Sequence, residues 1–387
     1  MSTQARSGKP TAEFGFQWAR KVVLKALLLL LIANLLFAAL DPLPWLARIS
    51  AYNLIIPGRH RLPYGENPEL AYNLSLFQLE AMFASHELSA GHKPEDEYRV
   101  LLIGDSSVWG FLLTAEQTAT AYLNQAAYTT EDGRTVRAYN LGYPVMSLLK
   151  DVAILDWAMA YQPDMIVWLV TLESFPHDKQ LASPLIQHNP EIAQTLIEAH
   201  DLDLDPQHPD LVRLSFWERT IIGQRRALAD LIRLQLYGVL WAATGVDHAI
   251  PEEFDLRAED LVAEVAFHGI QPPQQVEDIL SLDVLQAGMA AADPVPIILV
   301  NQPMFLSRGE NSDIRYNFHY PRWAYDAYRA WLSEQCERNA WRCLDYWNAI
   351  DPEEFTNTAF HLTPGGSAQL AGLIGEAILE QAAASNP

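Results

Sequence analysis

The pattern of hydrophobic and polar positions changes character along the chain. Near the start is one unbroken apolar run, "VVLKALLLLLIANLLFAAL", from Val22 to Leu40. As a helix rising ~1.5 Å per residue, it is about long enough to cross a hydrocarbon core of ~30 Å. Residues 41–97 follow as a membrane-proximal connector that opens "DPLPWLARISAYN". Within it, "NPELAYNLSLFQLEAMFASHEL" repeats Leu, Phe and Met at spacings of three and four, which predicts an amphipathic helix.

From residue 98, short apolar runs alternate with stretches of helical period. The runs are "YRVLLIG", "VRAYNLG", "DMIVWLV", "VPIILVN" and, more weakly, "WRCLDYW". They show little polar alternation, as expected of strands buried on both faces of a parallel sheet. Between them, "TAEQTATAYLNQAA", "MSLLKDVAILDWAMAY" and "PRWAYDAYRAWLSEQCERN" read as helices. The alternation predicts a three-layer α/β fold, with active residues at the C-terminal ends of strands. Residues 176–290 interrupt it with no comparable strand and are expected to be a largely helical insertion.

Charge refines the picture. The net charge of −22 argues against a nucleic-acid partner but leaves a membrane open. Arg6, Lys9, Arg20, Lys21 and Lys25 precede or open the apolar run, opposed only by Glu13. By the positive-inside rule residues 1–21 stay in the cytoplasm, and the chain from residue 41 onward lies outside it. No small-x-small cleavage site follows the run, so residues 22–40 read as an uncleaved transmembrane signal anchor. Inside the insertion, Arg213, Arg219, Arg225, Arg226 and Arg233 gather around the apolar "RRALADLIRLQLYGVLWAATGV". A lid facing the membrane and an ordinary helical layer are both consistent with this. Cys336 and Cys343 lack metal-ligand spacing; a disulfide and two buried thiols are the open readings.

The chemistry concentrates at "LLIGDSSVWG". A buried strand ends in Gly-Asp-Ser, and the following helix offers free backbone N–H groups beside Ser106. Near the other end, "EEFTNTAFHLTPGGSAQLAGLIGEAIL" sets His361 before a turn that opens the last helix. A strand-end serine and such a histidine are the parts of a nucleophilic acyl-transfer site. With these blocks the sequence resembles the SGNH (GDSL-type) hydrolase superfamily over residues 98–174 and 294–380. The resemblance implies a flavodoxin-like parallel sheet, Ser106 as nucleophile and His361 as its base. His86, His177 and His319 are outside candidates.

Three positions depart from the superfamily's pattern. The orienting acid, expected three residues before the histidine, is Thr358; Asn357 is the nearest acceptor, with Asp351, Glu353 and Glu354 less well placed. In "AYNLGYPVMS", matched at Asn140, Gly142 and Pro144, Val145 stands where a donor glycine is expected. In "DMIVWLVTLESF", Glu173 stands where an Asn donor is expected, with Ser174 and Asn301 as substitutes. The oxyanion-hole candidates are therefore the Ser106 N–H, the Val145 N–H and Glu173. The resemblance implies an esterase or O-acyltransferase acting on acyl, chiefly O-acetyl, esters of cell-envelope glycans, with no cofactor or metal. Its partners would be the membrane, an acylated carbohydrate or other ester and, for transfer, a membrane acyl-transfer partner. The alternative is a non-catalytic glycan-binding or assembly subunit.

The remaining features add little. The aromatic-rich "IRYNFHYPRWAYDAYRAW" suits either sugar stacking or packing on the sheet. "DLDLDP" lacks the glycine and glutamate of an EF-hand loop, and no phosphate-binding or dinucleotide motif is present.

Overall fold

The computed structural model describes residues 15–63, 77–246, 250 and 253–385. The chain forms two compact units, Met1–Leu43 with Leu214–Ala229, and Pro44–Arg213 with Asp230–Pro387. Residues 1–14, with Arg6, Lys9 and Glu13, lie outside the described residues.

The first unit is built on helix α1, Phe16–Leu40, which exposes nearly all of its apolar side chains. Among the described residues it is the one helix long and apolar enough to cross a membrane. Its buried residues are Asn34 and Ala38, and the Ile222 N–H donates to Asn34 Oδ1 at 3.1 Å.

The second unit holds a five-stranded parallel sheet in the order β2-β1-β3-β4-β5. Its strands are β1 (Glu97–Gly104), β2 (Thr135–Gly142), β3 (Met165–Val170), β4 (Ile297–Asn301) and β5 (Arg342–Asp345). Each apolar run found in the sequence is a strand. The helices are α2 (Leu43–Ala47), α3 (Leu79–Ala84), α4 (Ser106–Trp109), α5 (Ala119–Ala126), α6 (Leu148–Ala158), α7 (Pro184–Gln187), α8 (Pro190–His200), α9 (Arg225–Thr244), α10 (Leu282–Ala292), α11 (Arg322–Asn339) and α12 (Pro364–Ser385). α5 packs with α12, and α6 with α10. The right-handed crossover rule puts these pairs on opposite faces, giving three layers. Between them, Val100 to Ile103 and Met165 to Val170 are buried without a polar break, which is why they read as continuous apolar runs.

Two expectations are corrected. The amphipathic helix expected over residues 67–88 is, among its described residues, only α3. The chain then leaves the helix because its carbonyls are taken elsewhere: Asn53 Nδ2 donates to Ala84 O and His86 O, and the Arg59 N–H to Ser85 O. Residues 176–290 are less helical than expected, since 201–224 and 253–275 form turns and extended loop without an α-helix. The latter loop is held by side chains instead. Arg257 donates to Phe355 O and Pro352 O, and Arg315 to Glu264 O. The two cysteines form a disulfide that ties α11 to β5.

Candidate active site

The nucleophile candidate sits on one turn of helix between two fixed ends. β1 stops at Gly104, and Asp105 caps α4 by accepting the Ser107 N–H at 2.8 Å. Gly110 ends the turn at φ 88°, left-handed space that glycine enters without steric cost. The carbonyls at that end go to Arg61, whose Nη1 donates to Trp109 O and Gly110 O and whose guanidinium lies 3.9 Å from the centre of the Trp109 ring. Asn140 Nδ2, on β2, donates to Val108 O at 2.8 Å. Gly142 permits this close approach, since a Cβ there would fall 2.2 Å from the Trp109 nitrogen.

Ser106 and His361 meet across 255 residues of sequence. Ser106 Oγ lies 2.8 Å from His361 Nε2, and His361 Nδ1 lies 2.8 Å from Asn357 Oδ1. An amide oxygen only accepts, so Nδ1 carries the proton and Nε2 is left to accept the serine hydroxyl. The reach from Asn357 comes from a tight loop. Phe355 bridges Leu362, Thr356 N and Oγ1 donate to His361 O, and Thr358 Oγ1 accepts the His361 N–H. Thr358, at the expected acid position, thus shapes the turn that brings Asn357 to the ring. Burial lowers the His361 pKa to about 4, against the Asp105 charge, which raises it. The imidazole is therefore neutral at pH 7, as a general base must be. Phe111 packs on its face at 4.7 Å between ring centres.

The N–H groups of Ser106 and Val145 make no hydrogen bond among the described residues. Val145 has φ 76°, a conformation a β-branched side chain rarely adopts. The turn is braced from below by Lys150 of α6, which is fully buried. Its Nζ donates to Gly104 O and Tyr143 O, each at 2.8 Å, so one ammonium ties the turn before Ser106 to the turn before Val145. Asp151 Oδ1 is 2.5 Å from the same nitrogen, and Trp168 Nε1 donates to Oδ2. Burial raises the Asp151 pKa to about 6, against the pull of Lys150.

Glu173 does not supply the third donor. Its N–H is spent on Tyr320 OH at 3.0 Å, and its carboxylate accepts from His268 Nε2 at 3.1 Å and from Lys179 at 3.0 Å. Burial pushes its pKa up, but His268 and Lys179 outweigh this and hold it below the usual carboxylate value. The carboxylate is thus charged and committed as an acceptor. The substitutes are also engaged: Asn301 Nδ2 donates to Asp345, and Ser174 Oγ accepts the Thr171 N–H. Asp351, Glu353 and Glu354 make no hydrogen bond to His361. Among the outside candidates, His86 Nδ1 accepts the Leu88 N–H, His177 pairs with Asp203 O, and His319 packs against Phe318 and Phe360.

Several residues that hold the site had no signal in the sequence. Arg61, Lys150, His268 and Gln302 come from four distant segments; Gln302 joins Asp105 Oδ2 to Ser107 Oγ. Only Lys150, beside Asp151 in a largely apolar helix, could have drawn notice. A cleft of about 440 Å³ lies around the disulfide between α11 and β5, lined by none of Ser106, His361 or Asn357. The Ser–His geometry marks the site, because the chemistry needs that hydrogen bond and the cleft by the disulfide does not supply it. Among the described residues no group of three or more His, Cys, Asp or Glu is placed to hold a metal ion.

No family model matches the sequence, and no curated protein matches it. Solved structures do. A protein of the G-D-S-L family from Desulfitobacterium hafniense DCB-2 is 11% identical, with 72% of this chain and 98% of that chain covered, at a TM-score of 0.31. The M. smegmatis aryl esterase is 10% identical, with 73% and 98% covered, at 0.34. Est24, a carbohydrate acetylesterase from Sinorhizobium meliloti, is 10% identical, with 73% and 99% covered, at 0.33. The parallel α/β sheet, with Ser106 after its first strand and His361 before the last helix, is the arrangement that the motif resemblance to the SGNH (GDSL-type) hydrolases leads one to expect.

Proposed function

We propose that the protein is a membrane-anchored SGNH-type serine esterase or O-acyltransferase acting on O-acyl, chiefly O-acetyl, esters of cell-envelope glycans. The observation that carries this is the chain of hydrogen bonds Ser106–His361–Asn357, with the Ser106 and Val145 N–H groups making no hydrogen bond among the described residues. Ser106 Oγ attacks the ester carbonyl while His361 Nε2 takes its proton. The Ser106 and Val145 N–H groups receive the oxyanion. Collapse breaks the ester bond, and the departing alkoxide takes the proton from His361, leaving an acyl-Ser106. Water or a sugar hydroxyl then gives its proton to His361 and attacks the acyl group, and Ser106 recovers that proton on release. Asn357 holds the imidazole tautomer and supplies no charge, so the imidazolium is stabilised less than beside a carboxylate.

In this reading residues 22–40 are the anchor, 1–21 face the cytoplasm, and 98–387, with the insertion at 176–290, form the catalytic domain outside. The carbohydrate substrate and the membrane acyl donor are what the SGNH resemblance of the motifs implies. A fluorophosphonate probe tests the chemistry: wild-type protein is labelled and cleaves short acyl esters, and Ser106→Ala does neither. The rival reading, a non-catalytic glycan-binding subunit, draws on the charged Glu173 at the third donor position. Folded wild-type protein that is neither labelled nor active establishes the rival. Protease digestion of residues 41–387 from the cytoplasmic side would overturn the topology.

A further inference from the structure

Between Ala26 and Leu40 the only polar side chain is Asn34. The anchor reading gives it no purpose, and a polar side chain in hydrocarbon is costly unless it has a partner. Asn34 has two. Its Nδ2 donates to Leu30 O at 2.8 Å within α1, and its Oδ1 accepts the Ile222 N–H at 3.1 Å. It is 6% exposed on a helix whose other side chains are mostly open. Asn34 is six residues before the end of α1, which is about 9 Å along the axis. Ile222 therefore sits about that far below the level of the helix end. Arg219, three residues earlier, lies 3.8 Å from Asp41, the residue that caps that end.

The segment around Ile222 exposes an apolar surface, with the charged Glu218 turned back to accept from Ser215 N–H and Oγ. Leu214, Phe216, Trp217 and Ile222 are all exposed, Trp217 at 69% and Ile222 at 59%. Around Ile222 the turns satisfy part of their own polar groups. Thr220 Oγ1 donates to Trp217 O and accepts the Gly223 N–H, the Gln224 N–H donates to Thr220 O, and Arg225 Nη1 donates to Ile222 O. Backbone paired in this way can leave water, whereas the Phe216 and Trp217 N–H groups, which make no hydrogen bond among the described residues, belong at the hydrated headgroup level. Arginines and a tryptophan around such a segment are the composition of a headgroup boundary.

We infer that Leu214–Gln224 is a membrane wedge that enters the outer leaflet beside α1 and docks on it through Asn34. The occupant of the exposed apolar face is the bilayer. This rests on the reading of α1 as the anchor, and the test separates the two. Because the described cysteines are joined in a disulfide, a single added thiol can carry an environment-sensitive fluorophore. The full chain is reconstituted in phosphatidylcholine–phosphatidylglycerol vesicles containing doxyl-labelled acyl chains. Fluorophores are placed at Leu31→Cys in α1, Trp217→Cys and Ile222→Cys in the wedge, and Glu131→Cys on an exposed turn. Quenching at 217 and 222 several-fold above that at 131, with blue-shifted emission, is expected. Asn34→Leu should at least halve the quenching at 222, while Asn34→Gln keeps more of it. Quenching at 31 with none at 217 and 222 overturns the wedge and leaves the anchor standing. Protection of 222 from a water-soluble thiol reagent without lipid quenching assigns the face to a protein partner or second copy and also overturns it. No quenching at 31 removes the anchor and the wedge together.

Discussion

At φ 76°, Val145 occupies backbone space that a β-branched side chain enters only when its surroundings hold it there. Strain of this kind costs about 1–3 kcal/mol, more than the entropy a glycine adds to the unfolded chain. Val145→Gly should therefore raise the thermal midpoint while leaving kcat within about threefold, because the donor N–H remains. A lowered midpoint would show that the valine side chain contributes more than its backbone costs. Asn357 allows a sharper test. Asn357→Ala removes the acceptor for Nδ1–H and should lower kcat by about 10- to 100-fold. Asn357→Asp sets a negative charge beside the ring and raises its pKa. In the wild type the kcat/KM profile should stay flat from pH 7 to about 5 and fall with a midpoint near 4, since His361 is active only while neutral. In Asn357→Asp that acid limb should move to higher pH. An unmoved limb would mean that Asn357 does not act on the ring. The serine, the histidine and Asn357 were all legible from strand ends and motif blocks. The φ of Val145 was not, because backbone angles follow from the turns that flank them.

At the scale of elements, α6 does more than cover the sheet. Its Lys150 links the two turns that carry the candidate oxyanion donors, and Asp151 balances the charge. Lys150→Met leaves the Asp151 charge buried without its counter-ion, with only Trp168 Nε1 donating to it, and should destabilise the protein by about 3–5 kcal/mol. Replacing both, as Lys150→Met with Asp151→Leu, should recover most of that loss in urea unfolding. It should not recover kcat, because the turns lose their tether. Recovery of kcat along with stability would make the pair structural only. The helix itself was evident from its period. Its role was not, because a lysine in a helical stretch carries no mark of the carbonyls it will meet. The shortened α3 and the loop 253–275 were misread for a related reason: the partners of their backbone and side chains belong to distant segments.

For the whole molecule, the buried histidines set the response to acid. Burial lowers the pKa of His86, His319 and His361 to about 4 each. Between pH 6.5 and 4 the unfolded chain binds more protons at these positions than the folded one, so stability rises with pH across that window. It is present in full above about pH 6.5 and declines as pH falls through 4. For His86, which is fully buried, a shift of this size amounts to about 3 kcal/mol. Asp151 acts in the opposite sense, since its raised pKa lets the folded state take up a proton below about pH 6. His60, His268 and Glu80, whose pKa values are also raised, act with Asp151 but by smaller shifts, so the three large histidine shifts leave a net loss. The urea midpoint should fall clearly from pH 7 to pH 4.5, and an unchanged midpoint would contradict the burial of these rings.

Sequence alone determined what depends on local pattern. Buried strands announce themselves as apolar runs, a membrane-length helix by its unbroken hydrophobicity, and Ser106 and His361 by the motifs around them. Tertiary structure decided what depends on partners brought from afar. It joined Cys336 to Cys343, which the sequence left open between a disulfide and two thiols. It turned Glu173 from a candidate donor into a charged acceptor for His268 and Lys179. It gave Asn34 its partner in Ile222, 188 residues away. A side chain's donor or acceptor role is fixed by what lies within about 3 Å of it, and such neighbours are set by the fold and not by the local sequence.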